Sequence, residues 1–122
     1  MRVLNSFKYA IQGIIQCSKF EKNFRLQLVI GALTFVLGFF LAISVSEWIA
    51  LLFCSVLLLG FEMMNTAIEK LSNVITQSIH PVIKHVKDIA AGAVCLVSIV
   101  SFIIACLIFL PKIHSLIKNF IT

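Results

Sequence analysis

The chain has 122 residues, 61% of them hydrophobic, a net charge of +5 and a mean hydropathy of +1.10. This length allows one domain, and the composition excludes an ordinary soluble domain, which is about half apolar. The basic residues form no run beside an aromatic platform, so the positive charge does not indicate nucleic-acid binding. A lipid bilayer is therefore the expected solvent.

Residues 3–20 have the pattern of an amphipathic helix. Apolar side chains recur at helical spacing along one side of this segment, while Asn5, Lys8, Gln12, Gln16 and Lys19 lie on the other. Such a helix is expected to lie on the membrane surface. Periodicity alone leaves open whether it acts only as an anchor.

Three segments are predicted to cross the membrane: residues 26–46, 48–69 and 89–111. A crossing helix needs about 20 largely apolar residues, and the first and third segments meet this requirement without a charged residue. The second segment is uncharged only as far as Phe61, and residues 62–69 complete its length. The predicted fold class is an all-α membrane protein, in which three transmembrane helices and an N-terminal surface helix form one domain, 1–122.

The distribution of charge predicts the orientation. Cytoplasmic loops of membrane proteins are enriched in Lys and Arg. The connection between the first two segments carries only Glu47, so the N-terminus and the loop before the third segment are expected to be cytoplasmic. Lys112 and Lys118 then lie on the outer side, against this rule. The basic residues that determine the prediction are Arg2, Lys8, Lys19, Lys22, Arg25, Lys70, Lys84 and Lys87.

The second segment ends in a polar sequence, FEMMNTAIEKLSN, residues 61–73. Glu62, Asn65, Glu69 and Asn73 fall on one face of a helix. A carboxylate at membrane depth costs at least a few kcal/mol, so the default interpretation is a functional site. An enzyme site, a proton or ion pathway, and oligomer packing through Asn65 all remain open on this evidence.

Further charged residues lie at the predicted cytoplasmic ends of the other segments. Glu21 and Arg25 precede the first, and Lys87 and Asp88 precede the third. Carboxylates combined with cations suit phosphoryl transfer with Mg²⁺, although a solvated loop has the same composition. The nucleotide motifs GxxxxGK[ST] and GxGxxG are absent, and the three histidines lack the spacing of a zinc site.

Three stretches in a fixed order carry a family resemblance: SFKYAIQG with FEKNFRLQ before the first segment, EMMNTAIEKL in the second, and KDIAAGAV opening the third. Together they resemble the bacterial integral-membrane diacylglycerol kinase and undecaprenol kinase family, over residues 6 to about 97. The resemblance implies a homotrimer in the bacterial inner membrane, with active sites shared between protomers on the cytoplasmic side. It also implies ATP as phosphoryl donor and a membrane lipid as acceptor.

The resemblance assigns roles to individual residues. Glu62 matches the family's catalytic base, and Asn65 would position groups beside it. Glu21 and Glu69 match the carboxylates that hold Mg²⁺ against the nucleotide. Lys87 would neutralise phosphate charge, and Asp88 would orient the nucleotide or Lys87.

One position departs from the family pattern. The family usually has Asp where this chain has Asn73, which keeps a hydrogen-bonding group and loses a charge. We expect a working lipid kinase that phosphorylates diacylglycerol or undecaprenol. The sequences of the motifs resemble those of the undecaprenol kinase branch more closely. A small transporter and a noncatalytic membrane assembly factor are the competing interpretations.

Overall fold

The computed structural model describes residues 2–122 and consists of four helices: α1 (Arg2–Phe20), α2 (Lys22–Phe40), α3 (Val45–Ile75) and α4 (Pro81–Ile121). Of these, α2, α3 and α4 are long and apolar enough to cross a membrane. Helix α3 packs mainly against α4, α2 packs against α3, and α1 packs against α2. The predicted fold class is confirmed.

Most apolar side chains of the three long helices are exposed. Phe39 is 78% exposed and Leu107 is 71% exposed, and within residues 2–122 only six hydrophobic residues are buried. Such a surface would be unfavourable in water and is suited to lipid tails. The protein is therefore a multi-pass membrane protein.

The break between α1 and α2 falls at Glu21. This residue is extended, with φ −109° and ψ 112°, and its backbone N–H donates to the Cys17 carbonyl at 2.9 Å. Arg25 Nη1 donates to the Lys19 carbonyl at 2.8 Å and so satisfies one of the last acceptors of α1. The chain turns here from the amphipathic helix into the first spanning helix, and Glu21 stands at the corner.

The connection between α2 and α3 forms the tightly packed end of the molecule. Ala42 adopts a left-handed conformation, φ 50°, and Ser44 and Glu47 form a capping box at the start of α3. Lys112 Nζ lies 3.1 Å from Glu47 Oε1 and ties α4 to this corner. Helix α2 ends at Phe40, so the last residues of the first predicted segment lie in the turn and in the beginning of α3. The buried cluster beneath consists of Ile43, Leu51, Ile108 and Phe109.

The connection between α3 and α4 lies at the opposite end. His80 Nδ1 accepts a hydrogen bond from the Val82 N–H at 3.2 Å. Pro81 occupies the first helical position, where the lack of an N–H costs no hydrogen bond because an N–H there has no acceptor within the helix. Helix α4 continues through Pro111 to Ile121. The C-terminal residues therefore extend the third spanning helix.

Candidate active site

The polar face of α3 is buried where it meets α1 and α2. Glu62 is 5% exposed, Thr66 is 7% exposed and Ser72 is 3% exposed. Glu62 and Thr66 lie on one face because they are four residues apart, whereas Ser72 lies about 80° around the helix from Glu62. Asn65 is half-buried, and Glu69 is exposed at the edge of this face.

Glu62 is the centre of the site. Its carboxylate adjoins the side chain of Gln27 on α2, and the charges of Glu21 and Glu69 are close enough to act on it. The structure thus brings together three carboxylates that are separated by up to 48 positions in the sequence. Gln27 was not singled out by the sequence pattern, because one amide at the start of a spanning segment has no distinctive spacing.

A cleft of about 210 Å³ lies beside this centre, between the end of α1 and α3. Lys70 Nζ is 4.0 Å from Glu21 Oε1, so the cleft contains a cation and a carboxylate next to each other. Burial raises the pKa of the Cys17 thiol, and the Glu21 charge acts in the same direction, which keeps the thiol protonated at neutral pH. The residues lining the cleft are Gly13, Gln16, Cys17, Glu21, Met63, Thr66, Ala67 and Lys70.

A second polar group joins the ends of α3 and α4. Lys87 Nζ donates a hydrogen bond to Asn73 Oδ1 at 2.7 Å. Asp88 pairs with Lys84 at 2.7 Å, and the hydrogen bond from Lys84 lowers the pKa of the Asp88 carboxyl. Asp88 therefore contacts Lys84, which the sequence had not indicated as part of the site. The four-residue spacing of the two residues could have identified the pair.

The predicted site residues consequently fall into two groups. Glu21 lines the cleft, Glu62 and Glu69 lie on the neighbouring face of α3 without lining it, and Lys87 and Asp88 lie at the start of α4. Asn73 connects to the second group through Lys87. Their roles in catalysis stay predictions.

Carboxylate side chains are the candidate ligands for Mg²⁺ in this site. Between residues 2 and 122 no three His, Cys, Asp or Glu side chains are close enough together to hold a metal ion. Mg²⁺ in phosphoryl-transfer sites commonly uses one or two carboxylates and takes its remaining ligands from phosphates and water. Glu21 lines the cleft, whereas Glu69 is exposed outside its lining. Carboxylates of this kind suit a Mg²⁺ site that phosphates and water complete, and the assignment of this pair stays a prediction.

The geometry defines a membrane-embedded helical protein with a buried carboxylate, Glu62, in a spanning helix. Comparison with known proteins places it in a family. The model of the prokaryotic diacylglycerol kinase family matches residues 8–109. The chain belongs to this family.

Individual relatives agree with this assignment. The chain is 38% identical to the undecaprenol kinase of Bacillus subtilis, over 91% of this chain and 90% of that protein. It is 32% identical to a diacylglycerol kinase of Synechocystis, over 93% of this chain and 66% of the relative, and 29% identical to one of Haemophilus influenzae, over 80% and 86%. The predicted family is confirmed, and with it the class of enzyme, a lipid kinase.

Proposed function

We propose that this protein transfers the γ-phosphate of ATP to the primary hydroxyl of a membrane lipid alcohol at the cytoplasmic face of the bacterial inner membrane. The observation that carries the proposal is the burial of Glu62 in a spanning helix, with Glu21 and Glu69 beside it. A base at that depth can meet a lipid hydroxyl, while the nucleotide stays on the aqueous side.

Glu62 is the proposed base. As the lipid oxygen attacks the γ-phosphorus, the O–H bond breaks and its proton moves to the Glu62 carboxylate. A new O–P bond forms, the bond from the γ-phosphorus to the bridging oxygen breaks, and ADP leaves with that oxygen. Asn65, about one turn further along α3, would orient groups beside the base.

The remaining residues are proposed to bind the nucleotide. Glu21 and Glu69 would hold Mg²⁺, which neutralises phosphate charge when bound. Lys87 would contact a phosphate through the donors that its bond to Asn73 leaves free. Asp88 would help to set the charge around the nucleotide together with Lys84.

Undecaprenol is the favoured acceptor. The B. subtilis relative at 38% identity is named an undecaprenol kinase, whereas the relatives at 32% and 29% are named diacylglycerol kinases. Both alcohols present a primary hydroxyl at the interface, so the chemistry at Glu62 is the same for either. The family resemblance further suggests a homotrimer whose neighbouring protomers complete each site.

The test is transfer of labelled γ-phosphate from MgATP to lipid in mixed micelles. Undecaprenol and diacylglycerol are offered separately to the wild-type protein and to Glu62→Gln. Label should enter undecaprenol more efficiently and should be lost in the variant. A noncatalytic assembly factor would show no transfer to either lipid, and retention of full activity by Glu62→Gln would refute the assignment of the base.

A further inference from the structure

Lys70 on α3 and Glu21 at the end of α1 face each other across the cleft between these helices. Lys70 Nζ lies 4.0 Å from Glu21 Oε1, and both residues line the cleft. Arg25, one turn after Glu21, donates to the Lys19 carbonyl instead. Among residues 2–122, Lys70 is the only cation that lines this cleft. The carboxylate proposed to hold Mg²⁺ is thus paired with a lysine.

This ion pair is weak enough to be exchanged for other partners. Its side chains are 55% and 30% exposed, and 4.0 Å is long compared with the 2.7–2.9 Å or so of a direct hydrogen bond between charged groups. Exposed ion pairs change an equilibrium by no more than about fivefold, whereas a hydrogen bond to a charged group changes it by about tenfold or more. A phosphate would therefore bind the ammonium group of Lys70 more strongly than Glu21 does.

The position of Lys70 along α3 indicates which phosphate it would meet. Lys70 comes eight residues after Glu62, which is about 12 Å further along the helix axis. Side chains on a helix tilt toward its N-terminus, so the lysine leans back in the direction of Glu62. The proposed base acts beside the γ-phosphate. A cation on the aqueous side of it would meet the β-phosphate, which becomes the end of the leaving ADP.

We propose that Lys70 pairs with Glu21 in the free protein and moves to the β-phosphate when the nucleotide binds, which leaves the Glu21 carboxylate to Mg²⁺. The inference rests on the proposed kinase function and adds a nucleotide-binding residue to it. When the bond from the γ-phosphorus to the bridging oxygen breaks, negative charge passes to ADP, and the ammonium group of Lys70 neutralises part of that charge. Lys70 keeps its protons throughout and exchanges only hydrogen-bond partners.

Nucleotide binding without turnover tests the contact with the β-phosphate. The dissociation constant of MgADP, measured by calorimetry in micelles without a lipid acceptor, should rise about tenfold in Lys70→Met. Binding of AMP, which has no β-phosphate, should not change. Lys70→Arg keeps the charge and should stay within about threefold of wild type. Equal losses for MgADP and AMP would contradict the contact.

Lys8→Met is the matched control for the loss of one positive charge on the same side of the membrane. Lys8 is exposed on α1 and does not line the cleft, so this variant should bind MgADP like wild type. A weakening as large as that of Lys70→Met would mean that only the overall charge of this face matters, and the proposal would then fail.

Binding of Mn²⁺ alone tests the exchange at Glu21. Lys70→Met removes the cation that competes for the carboxylate, so it should bind Mn²⁺ about threefold more tightly, as measured by the electron paramagnetic resonance of free Mn²⁺. This change is opposite in direction to the change for MgADP. In a Glu21→Gln background, Lys70→Met should no longer alter Mn²⁺ binding. Unchanged or weaker Mn²⁺ binding in Lys70→Met itself would refute the exchange.

The outcomes separate this inference from the proposed function. If the wild-type protein phosphorylates no lipid, the kinase assignment fails and the role of Lys70 fails with it. If the wild type is active and Lys70→Met binds MgADP as tightly as wild type does, the kinase assignment stands and the role of Lys70 is wrong. The melting temperature in detergent should not change, because the pair is exposed. A lower melting temperature with weaker binding of both MgADP and Mn²⁺ would give Lys70 a structural role only.

Discussion

Lys87 on α4 donates a hydrogen bond of 2.7 Å to Asn73 on α3. The two residues lie on either side of the loop 76–80, which joins these helices. The contact fixes the ammonium group near the end of α3 through an acceptor oxygen at Asn73. A lysine held in this way is oriented by the contact and keeps hydrogen-bond donors free for a nucleotide phosphate.

The first prediction concerns this contact. Asn73→Ala should release the Lys87 side chain and raise KM for MgATP about fivefold. The reason is that nucleotide binding would then have to order the lysine side chain, which costs conformational entropy. The value of kcat should change little. Asn73→Asp is the matched control, because it retains an acceptor at the same place and restores the residue usual in the family, and its KM should stay within about twofold of wild type. Equal effects of the two substitutions would contradict this role for the contact.

Glu62→Gln should reduce kcat by at least about 100-fold, the usual minimum for loss of a positioned general base. Glutamine has nearly the same shape and removes a buried charge, so the helical content and melting temperature should be preserved. The measurements are steady-state kinetics and thermal unfolding of the same preparation. Glu47→Gln provides the control, since Glu47 lies at the other end of α3 and should keep wild-type kcat. A kcat reduced only a few-fold in Glu62→Gln would assign the base to another group.

The sequence predicted the helices well because each prediction depended on local features. Amphipathic spacing defined α1, and the uncharged apolar run of residues 89–111 identified the spanning part of α4. The end of α2 was harder to predict from the sequence, because the apolar residues continue from Phe40 to Ile43 through the turn. Only the left-handed backbone at Ala42 and the capping box at Ser44 interrupt the helix there.

The site was predicted in part. The polar face of α3 followed directly from helical periodicity, which placed Glu62 and Glu69 together with Asn73. Contacts between helices could not be predicted in the same way, because nothing in the sequence pairs Lys70 with Glu21, or Gln27 with Glu62. These contacts depend on the angle at which α1 and α2 meet α3, which tertiary packing determines.

The corner between α2 and α3 should respond to pH. The backbone N–H of Ser44 donates to Glu47, Lys112 pairs with the same carboxylate, and together they lower the pKa of Glu47, which lies before the apolar part of α3. A lowered pKa in the folded state means that the stabilisation is complete above the ordinary value of 4.5 and is lost as pH falls through the lowered value. The melting temperature of wild type should therefore decrease more below about pH 4.5 than that of Glu47→Gln. Parallel curves for the two proteins would show that this carboxylate does not contribute to stability in acid.

The close approach of α2 and α3 depends on Gly38. A Cβ atom at this position would lie 2.9 Å from Cη2 of the Trp48 ring and 3.1 Å from its Cζ2, and the indole cannot move freely because Phe35 and Phe39 pack on it. Gly38→Ala should therefore destabilise the bundle by about 1–3 kcal/mol, as overpacking usually does, despite the better helix propensity of alanine. The free energy of unfolding in mixed micelles measures the effect.

Two further variants test that cause. Gly31→Ala places the same methyl group where no atom lies within 4 Å, so it should be neutral or stabilising by up to about 1 kcal/mol. Trp48→Phe removes the two ring atoms that the new Cβ would contact, so it should rescue Gly38→Ala in a double-mutant cycle. Strict additivity in that cycle would mean that Gly38 is required for a reason other than its contact with Trp48.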